Sequence, residues 1–336
     1  AATEELVGKN IGWVSSESPS TEGSTVFVPN IVDRYPTKEE NFSWFKVVST
    51  HQVVHLEFGS FHFEFNEPSA LFKDLRSELE SMKVGRVSDP GEFPEVDTAS
   101  IEQAWITDMQ RYFNLFEDRK LALDIFSVIE DGRLDARVKL EYRGIRTAYT
   151  RVQKDSLAER PDIHSLPSRG AMVEFLVRLS LEQQNGIPAP EKYTKEARNI
   201  ARIAKQVLVP EATVEDTAEA SLRIYAVISQ IPNEDVPPED WQDMDVEGDD
   251  EQYADPDDME MLLQQMALGM EMELRPEDEE EYDSTQEVEY RGDFKPELAQ
   301  LMTQLRMQQE QVGESDGESI TQEQLEELLK NSAELD

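Results

Sequence analysis

Between Asn233 and Tyr290 the chain carries a single basic residue, Arg275, in a stretch crowded with Asp and Glu. Such a run has too little apolar surface to offset the entropy of ordering it, and its charges repel one another. Any core must therefore be built by the residues ahead of it. The imbalance extends to the whole chain: 336 residues have a formal net charge of −40, with only 38% hydrophobic residues. A surface this acidic repels phosphate backbones and anionic lipid, so neither nucleic acid nor a membrane is an expected partner, whereas a basic protein surface is. There is no cysteine, which excludes disulfides, zinc ribbons and thiol catalysis and leaves His, Asp and Glu as the available metal ligands. No apolar run is long enough to span a bilayer and no signal-peptide pattern occurs, so the expected location is the cytoplasm.

Three regions follow from the pattern. Residues 1–36 hold Pro, Ser and Gly with one β-like run, "STVFVPNIV", and read as an extended arm. Residues 37–231 read as a helical domain. Thr37 and Glu40 form a capping-box pattern ahead of "FSWFKVVSTHQVVHLEF", and Gly59 is placed to end that helix. "SFHFEF" is either a short strand or a packed turn, and 70–83 is an amphipathic helix with Leu71, Phe72, Leu75 and Leu79 on one side. Ser100 with Gln103 opens either one long helix reaching Tyr142 or two, broken near Glu117 and Asp118. Helical runs near 168–184, 191–208 and 211–230 complete the body. Residues 232–336 read as an acidic linker with three short amphipathic helices: 259–274, "FKPELAQLMTQLRMQQEQ" and "SITQEQLEELLKNS". The fold class is mainly α: a multi-helical body, with a buried HxxxH helix packed on a second long helix, and then the acidic linker.

Two of the four histidines, His51 and His55, lie four apart in "STHQVVHLEFG". At that spacing both rings leave one helix face a turn apart and can share an ion. Apolar residues surround them on nearly all sides, so the helix is expected to be buried and the pair either hydrogen-bonded or metal-bound. In "FSVIEDGRLDARV", Glu130 sits among Phe126, Leu134 and Leu123. A buried acid there needs a positive partner, either Arg133 at i+3 or a metal held by the histidines. Gly132 in mid-helix marks a close approach by another backbone. Asp131, Asp135, Arg137, Lys139 and Glu141 read as a solvated helix face. In the Met-rich helix, Met259, Leu262, Leu263, Met266 and Met270 form an adaptable apolar stripe. It either docks in a partner's groove or folds back on its own body.

"TKEENFSWFKVVSTHQVVHLEFGSF", then "VIEDGRLDARVKLEYRGI", then "EVEYRGDFKPEL" resemble the NorD/CbbO family of von Willebrand A (VWA)-containing proteins that partner MoxR-type AAA+ ATPases. The resemblance is good over roughly residues 30–150 and moderate near 286–300; it is weak over 165–230 and absent from the acidic linker. It implies a gluzincin-like N-terminal region in which His51, His55 and Glu130 take the three zinc-ligand positions and Gln52 the general-base position. An amide cannot accept a proton from metal-bound water, so an inactive or structural version is expected. The family's von Willebrand A domain, with its DxSxS motif, has no counterpart in these residues.

The resemblance implies an accessory protein or adaptor, not an enzyme. It would work with a MoxR-type ATPase to present or remodel a client enzyme, for activation or metal-centre maturation. The alternative is a metal-dependent peptidase of gluzincin type using His51, His55 and Glu130.

Overall fold

The computed structural model describes residues 12–16, 19–22, 25–87, 107–246, 261–262, 264, 266, 281–302 and 304. The protein is mainly α-helical, with one three-stranded and one two-stranded sheet among those residues. No helix among them is long and apolar enough to cross a membrane. The chain divides into two units: 1–63 with 107–110 and 287–336, and 64–106 with 111–286.

In the first unit, strands β1 (Gly12–Ser16), β2 (Ser20–Glu22) and β3 (Thr25–Pro29) form a sheet in the order β1-β3-β2. β3, inside the β-like run of the expected arm, is the central strand: parallel to β1 and antiparallel to β2. Helix α1 (Lys38–Glu57) packs on β2 and β3. Thr37 caps it, its hydroxyl oxygen accepting from Glu40 N at 3.3 Å. At the other end Gly59 takes φ +77° while Ser60 N donates to His55 O at 2.9 Å, the six-to-one bond of a Schellman stop. "SFHFEF" is a packed turn, with Phe61, Phe63 and Phe65 buried. A helical run at 296–302 is tied into the same unit by Gln300, whose Nε2 donates to Phe63 O at 2.8 Å and whose Oε1 accepts from Met109 N at 2.7 Å.

The second unit is organised on α8 (Val214–Ile228), every residue of which is buried. The unit also holds α2 (Arg76–Val87), α4 (Arg119–Glu141), α5 (Arg146–Ala158), α6 (Ser168–Ser180) and α7 (Thr194–Val207). α4 and α7 pack directly on α8, and α6 packs on α4. Of the 101–142 stretch the structure describes 107–142, which holds two helices. The short α3 (Asp108–Phe113) precedes α4, and the Asp118 side chain caps α4 by accepting from Leu121 N at 3.0 Å. The expected cap at Ser100 lies outside the described residues.

α2 begins at Arg76, not near 70, for a reason that lies on α8. Asp216 accepts from Leu71 N at 2.9 Å and from the Ser69 hydroxyl, and Glu219 accepts from Leu75 N at 3.2 Å and Arg76 N at 3.3 Å. Carboxylates from α8 thus satisfy backbone N–H groups that a helix would have used internally. Glu219 also binds Arg76 Nε at 2.8 Å and pairs with Arg223, so the acid is neutralised inside the core.

The start of the expected linker is folded. β5 (Trp241–Met244) pairs antiparallel with β4 (Ile187–Pro190), and Val246 N donates to Gln184 O at 2.8 Å. Its far end is anchored too: Tyr282 Oη donates to Asp124 Oδ2 at 2.6 Å, and Lys120 Nζ to Asp283 Oδ1 at 2.6 Å.

Candidate functional site

α1 turns His51 and His55 out on one side, their ring centroids 5.1 Å apart and their planes nearly perpendicular at 89°. Both are buried. His55 Nδ1 lies 3.1 Å from Ser60 Oγ, a residue that the Schellman stop brings back beside the last turn. The ring clusters with Phe61, at 5.7 Å, and Phe294, at 4.8 Å, which are themselves 5.8 Å apart, all three planes within about 26° of one another. His51 meets the edge of Tyr290 at 5.7 Å. A ring bonded at Nδ1 to a hydroxyl and packed among aromatic neighbours has its Nε2 aimed in one direction, as an oriented ligand or a structural histidine requires.

Gln52, at the position where a gluzincin would hold its general base, uses both ends of its amide. Its Oε1 lies 2.8 Å from Thr21 Oγ, and its Nε2 donates to the carbonyl of Arg291. The Thr21 hydroxyl also lies 2.9 Å from the Gln52 carbonyl, so its one proton is shared between two acceptors on the same residue. The side chain ties α1 to β2 on one side and to the 288–294 turn on the other. That turn is held hard: Gly292 has φ +68°, Asp293 N donates to Pro19 O at 3.0 Å, and a Cβ on Gly292 would sit 2.1 Å from that same carbonyl oxygen.

Glu130 belongs to the second unit and is fully buried there. Arg133 forks onto it, Nε to Oε2 at 2.8 Å and Nη2 to Oε1 at 2.5 Å, and the Thr217 hydroxyl adds a bond to Oε2 at 2.7 Å. The guanidinium completes its set with Ala212 O at 3.1 Å. Of the two partners open to Glu130, the structure shows Arg133. Binding a metal as well would mean giving up part of this fork and weakening the neutralisation of a buried guanidinium. The zinc set implied by the resemblance therefore fits the donor chemistry at His51 and His55 and fits poorly at Glu130.

The neighbouring charges correct the expectation of a solvated face. Asp131, Asp135 and Lys139 are buried. Asp135 accepts from Tyr149 Oη at 2.6 Å and Gln153 Nε2 at 3.0 Å; Lys139 donates to Gln153 Oε1 at 2.9 Å and pairs with Glu182. Arg137 and Glu141 do form an outward pair, at 2.7 Å. Gly132 is packed as its mid-helix position suggested, but against side chains: a Cβ there would meet Ser180 Cβ at 3.3 Å and Leu208 Cδ2 at 3.4 Å.

In the Met-rich helix Met266 is buried and Leu262 half-buried, while Met259, Leu263 and Met270 lie outside the described residues. Gly313, Ser315 and Gly317 have nucleophile-elbow spacing. They also lie outside those residues, and no strand-like apolar run precedes them.

Thr21, Ser60, Tyr290, Arg291 and Phe294 had no signal at the level of sequence chemistry, because each acts through a contact far along the chain or across the helix stop. The one available cue was the pairing of Gly59 with a following hydroxyl residue. Comparison with protein-family models, with curated proteins and with solved structures found no match to this chain.

Proposed function

We propose that this chain is a non-enzymatic accessory protein, an adaptor that works with a MoxR-type AAA+ ATPase to present or remodel a client enzyme in the cytoplasm. The observation that carries the non-enzymatic half is Gln52. A general base must reach a water and take its proton, whereas this amide is buried and engaged at both ends as a clasp between Thr21 and Arg291. The ATPase half rests on the NorD/CbbO resemblance. It is supported by the packing of two of the resembling segments within the first unit, the HxxxH helix and the "EYRGDF" turn, through His51–Tyr290 and His55–Phe294.

The acidic surface fits the reading, since it favours a basic partner face and speeds encounter with it. The direct test mixes the purified full chain with the MoxR-type ATPase encoded nearest to it, in ATP and in ADP, and reads complex formation by size-exclusion chromatography. A nucleotide-dependent complex is expected. Failure to associate in ATP, with both proteins folded, sinks the reading.

The second reading, a gluzincin-type metal-dependent peptidase, is favoured by the buried donor pair His51 and His55. With Glu130 as third ligand it requires that acid to leave Arg133, and it needs another residue to act as base. Zinc found by elemental analysis without peptide cleavage would make the pair a structural metal site and leave the adaptor reading standing.

A further inference from the structure

The first unit carries a groove of about 420 Å³, within the size range of ligand and side-chain pockets. Its apolar lining includes Trp44, Pro19, Pro29 and Val32, and Ile31, 84% exposed, stands at its rim. The charged lining is three carboxylates, Asp33, Glu287 and Glu289, against one guanidinium, Arg34, which is paired with Glu289. An apolar floor under a net acidic rim selects a ligand with the opposite arrangement: apolar body, cationic flank.

Two further features point the same way. The Arg34 guanidinium lies 5.8 Å from the centroid of the Trp44 ring, so this wall already holds a cation against an aromatic face. The walls are also set in advance. Asn41 Oδ1 accepts from Arg34 N and Tyr35 N, both at 2.8 Å, and its Nδ2 donates to Tyr35 O at 2.7 Å, fixing the 34–35 turn. The opposite wall is pinned by the contact between Gly292 and Pro19. A groove that needs no ordering on binding retains more of its interaction energy.

We infer that this groove is a docking site for a protein partner's peptide segment in which an aliphatic or aromatic side chain is flanked by Lys or Arg. The apolar side chain covers Ile31 and enters over Val32 and the two prolines. The basic flank meets Glu287 and Asp33, which are exposed. This stands on the groove alone and does not depend on the ATPase reading.

The test selects random peptides displayed on phage against the immobilised full chain, then measures the enriched peptides by fluorescence anisotropy on wild type and on Ile31→Ser/Glu287→Gln. Both positions are exposed, and an unchanged thermal midpoint confirms that the variant is folded. Peptides joining an apolar residue to a basic one are expected, with affinity falling about tenfold or more on the double variant. Peptides that are merely polybasic, or that bind the variant as tightly as wild type, would show general attraction to an acidic chain and overturn the site. Enrichment of no peptide, with a small organic amine bound instead, would also overturn it. An ATPase complex that forms equally well with the double variant leaves the adaptor reading intact whichever way the peptide result falls.

Discussion

Gln52 and Arg291, 239 residues apart in sequence, are joined by a buried hydrogen bond from the Gln52 amide nitrogen to the Arg291 carbonyl. The bond fixes the chemistry of the position. Gln52→Glu would place a carboxylate against a carbonyl oxygen and leave no donor for it. The expected cost is about 2–4 kcal/mol, combining the lost bond with burial of a charge. Restoring the gluzincin glutamate should therefore weaken the fold and yield no peptide hydrolysis. Urea denaturation with a peptidase assay reads both; a stable, cleaving variant would refute the clasp.

Gly292 and Gly144 predict opposite outcomes for one substitution. At Gly292 the backbone is left-handed and a Cβ would overlap the Pro19 carbonyl, whereas at Gly144 nothing lies within 4 Å. Gly292→Ala must move backbone and is expected to cost about 3 kcal/mol or more, from strain together with the clash. Gly144→Ala removes freedom only from the unfolded chain and is expected to be neutral or to stabilise by up to about 1 kcal/mol. Thermal melts of the two variants decide; equal effects would mean that the 288–294 turn is not held against Pro19.

The Glu130–Arg133 fork predicts strong coupling. Glu130→Gln alone leaves a buried guanidinium without its countercharge and is expected to cost about 3–5 kcal/mol, whereas the double change Glu130→Gln/Arg133→Met should cost distinctly less than the sum of the singles. Additive losses in denaturant titrations would show that the acid is stabilised by something other than this arginine.

The parts of the fold that were legible in the sequence are local. Thr37 and Gly59 bound α1 because caps and stops are written within a few residues of the helix end. The break before α4 was signalled by Asp118, a side chain that prefers to accept from the backbone. The Glu130–Arg133 pair was readable because i+3 spacing puts the partner on the same face. What was not legible depends on distant residues. Leu71 and Phe72 have helical spacing, but Asp216 and Glu219 on α8 take the backbone N–H groups of 71, 75 and 76. Asp135 and Lys139 look like surface charges until Tyr149, Gln153 and Glu182 close over them. β5 lies in an acidic run whose composition argues against order, and it is ordered by pairing with β4. The clasp at Gln52 was half-visible: its identity excluded a base, but nothing nearby in sequence named Thr21 or Arg291.

Two neighbouring aspartates, Asp124 on α4 and Asp283 beside it, respond to pH in opposite senses. Burial pushes the Asp124 carboxyl above its ordinary value of 3.8, only partly offset by the hydrogen bond from Tyr282. The hydrogen bond from Lys120 holds the exposed Asp283 below that value. For Asp124 the folded state binds the proton more readily than the unfolded chain. Its ionisation costs stability at pH above the raised value, and that cost disappears as pH falls through the raised value toward 3.8. For Asp283 the sign is reversed: its contribution is present above 3.8 and lost as pH falls through its lowered value. Asp124→Asn, which keeps an acceptor for Tyr282, should therefore match or exceed wild-type stability near neutral pH and lose that advantage on acidification. Asp283→Asn should be weaker than wild type near neutral pH and converge with it in acid, by an amount that shrinks as salt screens the exposed pair. Unfolding titrations of the three proteins across the acidic range, at low and high salt, separate the two. If Asp124→Asn tracks wild type in parallel at every pH, the buried anchor of the 281–284 segment on α4 is not as described.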